Sequence, residues 1–441
     1  MSRTIGARVR TWIRSRLVPL IKGPKSDHVQ QRNIWHLYQD LLWLGFASAA
    51  STYINVYAIR LGATKELLGL RASIPSLLMV LLRIPAARLI ERTADRKRLI
   101  VRSLTASRLV YLLLFLLPWL AALPGLRQIP PATLLVVVVV TMGIPSILAA
   151  AGWDTFFADV VPVGERARVV SVRSMVTNLM MLTIVPVMGS LLEALRFPVN
   201  YQIIFLAAFV GAMASVWHVN QIHVAPAKVR AARSEPLNLR GAWQIMRGSR
   251  AFSVLLWGTF VYQWAISLAS PLFSIYFIED LGATESWIGW RATLASLISI
   301  LAYRFWPRVI ERHGERTVLL RTAPFMLLFP LLTGLTRSLT LQFLIVIIPR
   351  IFGAAVMLTR YSLLLRDSPP DRRPSYIAIY AILVNIAAFV APLVGTSLSE
   401  YIGITGVFFA SAALRLTAAL IYHWLPEDPG SSTGEASPEP A

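Results

Sequence analysis

Long apolar runs are the feature that most limits what this chain can fold into. About twelve of them are separated by charged or Pro/Gly-rich stretches, and each is long enough for an α-helix to cross a hydrocarbon layer of roughly 30 Å. A chain of 441 residues that is 56% hydrophobic and 15% charged cannot bury that surface in a water-soluble fold. The sequence therefore predicts an all-α integral membrane protein with about twelve transmembrane helices. The runs lie at about 34–57, 67–91, 98–122, 130–152, 167–192, 199–223, 252–278, 286–310, 317–335, 340–363, 375–398 and 402–424.

The formal charge of +21 is distributed as short basic loops rather than as one basic domain. Arg92 and Arg96 follow the second run, and Arg312 and Arg316 follow the eighth, whereas loops of the other set are poor in positive charge. Because cytoplasmic loops of membrane proteins are enriched in Lys and Arg, both termini are predicted to be cytoplasmic. The basic charge thus indicates topology in a lipid bilayer, and nucleic acid is not an expected partner.

The same pattern divides the chain into five segments. Residues 1–33 form a basic N-terminus, which is predicted either to lie as an amphipathic helix on an anionic leaflet or to be a basic tail that sets orientation. Two six-helix bundles, 34–223 and 252–425, are joined by a cytoplasmic linker at 224–251. The tail, 426–441, is rich in Pro, Gly, Ser and Glu and is predicted to be disordered.

The two bundles are related by an internal repeat. The run LGAT at 61–64 recurs at 281–284, an offset of about 220 residues, and RLIER at 88–92 recurs as RVIER at 308–312. Farther along, an offset of about 207 residues relates Asn178 to Asn385. Each offset spans six helices, an even number, so repeated helices cross the membrane in the same direction. The halves are therefore predicted to be related by an axis along the membrane normal.

At residues 87–96 the sequence resembles the major facilitator superfamily, whose loop between helices two and three has the form G-x-x-x-D-R-x-G-R-R. Here both glycines are alanine and the aspartate is Glu91, while the second copy at 307–316 retains Gly314 and the Glu311–Arg312 pair. The resemblance implies a monomeric secondary transporter of small solutes, with no cofactor. It leaves the substrate open, because this architecture serves many kinds of cargo.

By the same resemblance, the loop carboxylates would hold the cytoplasmic side shut by docking on helix N-termini, whose partial positive charge favours an anion. The alternative is that these acids merely neutralise a basic loop. The predicted cytoplasmic gate comprises Glu91, Arg92, Asp95, Arg96, Glu311, Arg312 and Arg316.

Charged residues inside the predicted spans are costly and usually face water or a partner. In the resembling fold the first, fourth, seventh and tenth helices line the central cavity, which favours Asp40 and Arg350 as substrate or coupling residues, with Asn55 and Gln263 as further polar candidates. Asp40 is the best candidate for proton coupling, and a structural salt bridge with a loop arginine is the alternative. Arg108 and Arg415 fall on peripheral helices, which favours snorkelling or a structural hydrogen bond.

The expected function is transport of a small solute across the cytoplasmic membrane by alternating access, with proton-coupled efflux of drugs or organic ions as one form. A lipid or lysophospholipid transporter and a non-transporting receptor or scaffold are the alternatives. The chain has no cysteine and its six histidines lack ligand spacing, so neither an enzyme nor a metal site is expected. A Walker-type nucleotide motif is also missing from the sequence.

Overall fold

The structure is a computed structural model that describes residues 28–93, 95–162, 165–224, 246, 249–369 and 372–426, except for the side chains of residues 91, 154, 155, 167 and 374. The predictions for most of the N-terminal segment, most of the linker and nearly all of the tail fall outside the described residues.

Every regular element in the described residues is helical. Helix α1 is broken after Ser51, α7 ends in a π-helical turn, and the last helical stretch is interrupted at Gly403, whose φ of 73° separates α11 from α12. The helices are α1 (His28–Ser51 and Ile54–Arg60), α2 (Lys65–Arg92), α3 (Arg96–Ala122), α4 (Pro131–Val160), α5 (Arg166–Ala194), α6 (Val199–Gln221), α7 (Arg250–Ile275), α8 (Glu285–His313), α9 (Glu315–Thr322, Pro324–Leu327 and Leu328–Leu335), α10 (Leu339–Ile345 and Ile347–Arg366), α11 (373–402) and α12 (404–422).

These helices agree with the predicted spans. Nine helical stretches of the described chain are long and apolar enough to cross a membrane, and one of them, Ser375–Tyr422, contains both α11 and α12. Large apolar side chains remain exposed along them; Leu81 is 58% exposed and Val187 is 64% exposed. In a lipid solvent these side chains need no protein cover. The prediction of an all-α membrane protein with about twelve helices is confirmed.

The repeated LGAT sequence has the same local structure in both copies. Gly62 and Gly282 adopt left-handed conformations with φ of 83° and 65°, which a glycine adopts without a Cβ penalty. The hydroxyl of Thr64 then accepts from the Leu67 amide at 3.3 Å, and that of Thr284 accepts from the Trp287 amide at 3.2 Å. Each threonine caps a helix N-terminus, so the repeat marks a turn followed by the start of α2 or α8.

The asparagines related by the second offset also behave alike. The side-chain amides of Asn178 in α5 and Asn385 in α11 each donate at 2.8 Å to the carbonyl four residues earlier in the helix. The two offsets found in the sequence therefore relate equivalent positions of the fold.

The chain divides into two compact units. Of the described residues, the first unit contains those within 1–62, 81–233 and 284–293, and the second contains those within 63–80, 234–283 and 294–441. In the first unit α1 packs against α5 and α6, and α3 packs against α4 and α6. In the second unit α7 packs against α11 and α12, and α9 packs against α10.

Glycines allow the closest helix contacts within each unit. In the first unit, a Cβ on Gly211 of α6 would lie 2.6 Å from the Trp43 carbonyl oxygen of α1. In the second, a Cβ on Gly395 of α11 would overlap the Leu268 carbonyl oxygen of α7. Since real Cβ atoms do not approach backbone so closely, these helix pairs require glycine, as is common in membrane helix packing.

Candidate functional site

Asp40 lies at the centre of a buried ion network in the first unit. It projects from α1 and is 1% exposed. Its two carboxylate oxygens lie 3.7 Å from the guanidinium nitrogens of Arg108 in α3 and Arg173 in α5, and the hydroxyl of Ser215 in α6 donates to it. One carboxylate therefore joins four helices. Its cationic partners come from membrane helices, so the alternative prediction of a partner from a loop is wrong, whereas the coupling role remains a prediction.

Arg173 is held by further contacts on both sides. Its Nη1 donates at 3.1 Å to the Leu37 carbonyl of α1, and its guanidinium carbon lies 5.2 Å from the ring centroid of Trp153 in α4. The sequence analysis did not single out Arg173, although it lies inside an apolar run. Asp40 and Arg173 together connect α1, α4 and α5, which includes the two helices of this half that the family resemblance assigns to the transport path.

The two peripheral arginines form structural hydrogen bonds, as one of the two predicted alternatives required. Arg108 of α3 donates to the Ala212 carbonyl of α6 at 3.1 Å, and Arg415 of α12 donates to the Met326 carbonyl of α9 at 2.9 Å. Both side chains are buried. In the repeat, α3 corresponds to α9 and α6 corresponds to α12, so an arginine joins the equivalent helix pair in both halves. The arginine lies on α3 in the first half and on α12 in the second.

The other predicted substrate or coupling residues have different surroundings. Asn55 is half-buried in the second piece of α1. In α7, Gln263 donates to the Ser267 hydroxyl of the same helix at 2.9 Å. Arg350 in α10 is exposed and forms no hydrogen bond or ion pair with the described residues. The contacts of these residues within each unit do not test their predicted roles.

The first loop of the predicted cytoplasmic gate begins α3. The Asp95 carboxylate caps this helix by accepting from the Arg98 amide at 3.0 Å. Arg92 is exposed and Arg96 is half-buried, while the side chain of Glu91 lies outside the described residues. Asp95 therefore stabilises the N-terminus of α3, whether or not it also acts in the gate.

The second loop of the predicted gate follows α8. Glu311 and Arg312 are exposed, and Arg316 donates to the Leu425 carbonyl at 2.9 Å. Next to them, Glu315 was not predicted as a site residue. It accepts from the Ser362 hydroxyl at 2.8 Å and forms an ion pair with Arg366 at 3.5 Å, which ties the start of α9 to the end of α10.

A third polar cluster, at the other end of the first unit, was also missed by the sequence analysis. Glu285 at the start of α8 is 7% exposed and accepts from Arg60 of α1 at 2.9 and 3.2 Å and from the Tyr201 hydroxyl of α6 at 3.1 Å. The hydrogen bonds with Glu285 raise the pKa of the Arg60 guanidinium. The adjacent Ser286 amide donates to Glu193 of α5 at 3.1 Å. These contacts fix the N-terminal segment of α8 within the first unit.

The second unit contains a guanidinium surrounded by tyrosines. The Arg360 guanidinium carbon of α10 lies 4.6 Å from the ring centroid of Tyr262 in α7, and Tyr422 of α12 and Tyr380 of α11 lie nearby. The Tyr422 hydroxyl is also 3.3 Å from the Thr259 hydroxyl. Like Arg173, Arg360 lies inside an apolar run, so the search for charges within spans could have found it.

Twelve helices in the described residues, an internal sequence repeat and the buried ion network of Asp40 are typical of a multi-pass membrane transporter. The family comparison agrees. The Major Facilitator Superfamily sequence profile matches residues 41–264 and again 255–440, so the chain belongs to this superfamily. It is a multi-pass membrane protein of a transporter superfamily and not an enzyme.

Individual relatives are distant. The multidrug resistance protein MdtG of Citrobacter koseri is 27% identical over 177 residues, which cover 39% of this chain and 43% of that protein. The alignment thus spans less than half of this curated relative. A bacterial homologue of the iron transporter ferroportin is 14% identical with a TM-score of 0.70, covering 90% of this chain and 99% of that one. A bacterial homologue of the human lysosomal transporter Spinster is also 14% identical, with a TM-score of 0.66 and coverages of 90% and 97%.

Proposed function

We propose that this transporter exports small drug-like molecules or organic ions by alternating access, driven by the proton gradient. The observation that carries the proposal is the alignment of 177 residues with MdtG, which is named for multidrug resistance. The structural neighbours are named for other cargo and share only the fold, so they do not decide the substrate.

Asp40 is the proposed coupling residue. A carboxylate that binds two guanidinium groups from α3 and α5 can exchange one of those partners for a proton when the helices shift, so proton binding and helix position would be linked. Arg350, Asn55 and Gln263 are the proposed substrate contacts, because they are polar residues on helices that line the transport path in this superfamily. Arg350 is exposed and forms no hydrogen bond or ion pair with the described residues. Its guanidinium is therefore open to an anionic group of the substrate.

The cytoplasmic gate remains part of the proposal. Glu91 and Glu311 are the carboxylates that would dock on helix N-termini, supported by the repeated RLIER and RVIER sequences. Arg92, Arg312 and Arg316 would then hold the neighbouring loops. Both termini would lie on the cytoplasmic side, as the distribution of basic loops indicates.

The test is accumulation of a fluorescent efflux substrate such as ethidium in bacteria that lack their own main pumps. Cells that express the protein should accumulate less dye than vector controls, and a protonophore should abolish the difference. Asp40→Asn should abolish it as well if Asp40 couples transport to protons, while Arg321→Met, a change at an exposed arginine of α9, should leave it unaltered. Equal accumulation with and without the protein, across a panel of cationic, neutral and anionic dyes, would overturn the proposed function.

A further inference from the structure

Arg360 lies among apolar and aromatic side chains of the second unit. The surrounding core includes Tyr262, Val356, Leu363 and Tyr422, all 3% exposed or less. The arginine itself is only partly covered, yet its Nε and Nη1 are buried and donate to no acceptor in the described part of the chain. A buried donor without an acceptor costs about 1–3 kcal/mol, and more when it is charged.

Carboxylates that would neutralise this cation are missing from the helices around it. The sequences of α7, α10 and α12 contain no acidic residue. The one acid of α11, Glu400, lies twenty residues beyond Tyr380, which is about 30 Å along a helix axis. Glu315 at the start of α9 is already bound by Ser362 and Arg366. The ring of Tyr262 offers Arg360 a cation–π contact, which stabilises a cation but accepts none of its in-plane hydrogens.

The internal repeat shows what the second unit lacks. At the offset of about 207 residues, Arg360 corresponds to Trp153 and Tyr380 corresponds to Arg173, so the cation and the aromatic ring have exchanged helices. The first unit therefore contains an arginine, an aromatic ring and the Asp40 carboxylate, whereas α7 supplies no acid to the arginine and the ring of the second unit.

We propose that Arg360, with Tyr262, Tyr380 and Tyr422, is the binding site for the carboxylate of an organic anion with an aromatic or other apolar body. The ligand carboxylate would form an ion pair with the guanidinium, as Asp40 does with Arg173 in the first unit, and its apolar body would pack on the half-buried ring of Tyr380. This inference rests on the proposed export function and adds organic carboxylates to the substrates that the exporter would take.

The test compares two probes of nearly the same shape, 2-naphthoate and its neutral analogue 2-naphthamide, with sodium phosphate and chloride as inorganic anions. Binding to the purified full chain is measured by calorimetry and by the shift in unfolding temperature. Naphthoate should bind and naphthamide should bind at least tenfold more weakly. Arg360→Met should weaken naphthoate binding at least tenfold, Arg360→Lys should retain part of it, and Arg321→Met should not change it.

A second variant keeps the inference testable if Arg360→Met does not fold. Tyr380→Leu keeps Arg360 but removes the half-buried ring on which the apolar body would pack, and it should weaken naphthoate binding about tenfold. Equal binding of naphthoate and naphthamide, or naphthoate binding that survives both changes, would overturn the assignment. Phosphate or chloride that binds as tightly as naphthoate would also overturn the assignment, in favour of a site for inorganic anions.

Failure here is separable from failure of the proposed function. Binding is measured in detergent and needs no transport. Absence of naphthoate binding in a protein that still exports ethidium would remove this inference and leave the export function standing. Naphthoate binding by a protein that exports nothing would remove the proposed export function and leave the binding site standing.

Discussion

Removing the carboxylate of Asp40 should cost more stability than removing any exposed acid of this chain. At 3.7 Å, each of its two ion pairs is worth about 4–5 kcal/mol of gross attraction at an effective dielectric constant of 20. Loss of one partner from a buried ion pair typically costs about 3–5 kcal/mol, because the other charge stays buried. Asp40→Ala leaves two such cations, Arg108 and Arg173.

That loss corresponds to a fall in unfolding temperature of about 6–20 °C for a cooperative unit of roughly 200 residues. The assay is intrinsic tryptophan emission during heating, since the chain has 13 tryptophans and no cysteine for a thiol-reactive dye. Asp40→Asn keeps the volume and a hydrogen-bond acceptor and should fall between Asp40→Ala and wild type. Glu311→Ala removes an exposed carboxylate and should melt within about 1 °C of wild type. An Asp40→Ala protein that melts within 2 °C of wild type would refute the reasoning.

Three smaller changes test other parts of the structure. Glu285→Gln should lower the unfolding temperature by weakening the contacts with Arg60 and Tyr201, and loss of protection from hydrogen exchange should be greatest at the start of α8. Gly395→Ala places a Cβ against the Leu268 carbonyl and should cost about 1–3 kcal/mol in thermal unfolding, whereas Gly143→Ala, where a Cβ meets nothing within 4 Å, should be neutral or slightly stabilising. Asp95→Ala removes the cap of α3 and should cost about 0.5–2 kcal/mol, while Asp95→Asn should largely retain stability; equal losses would show that the charge rather than the cap matters.

The helices and the repeat could be predicted from the sequence because both are set by the order of residues within short segments. Apolar runs of about twenty residues have few stable outcomes other than a membrane helix. The LGAT copies carry their own structure, since a left-handed glycine and a capping threonine act over four residues. The structural hydrogen bonds of Arg108 and Arg415 were predicted for a similar reason: an arginine on a peripheral helix must find an acceptor close by.

Side-chain contacts between residues that are distant in the sequence could not be predicted. Glu285 meets Arg60 over a separation of 225 residues, and nothing in the helical phase of either segment identifies the other. Asp40 was found as a charge within a span, but its partner was expected in a loop rather than in α3 and α5. Arg173 and Arg360 were overlooked because each lies two turns or less from the charged end of its helix, where snorkelling makes an arginine inexpensive. The structure shows that Arg173 has a carboxylate partner, whereas Nε and Nη1 of Arg360 donate to no acceptor in the described residues.

Proton-coupled export can be measured without other pumps by transport with purified protein in liposomes. With a pH gradient imposed and no nucleotide present, a transported dye or organic anion should accumulate, the accumulation should collapse when the gradient is dissipated, and Asp40→Asn should abolish it. Equal dye distribution with and without the gradient, in liposomes whose protein shows a normal unfolding transition, would show that the protein is not a proton-coupled exporter.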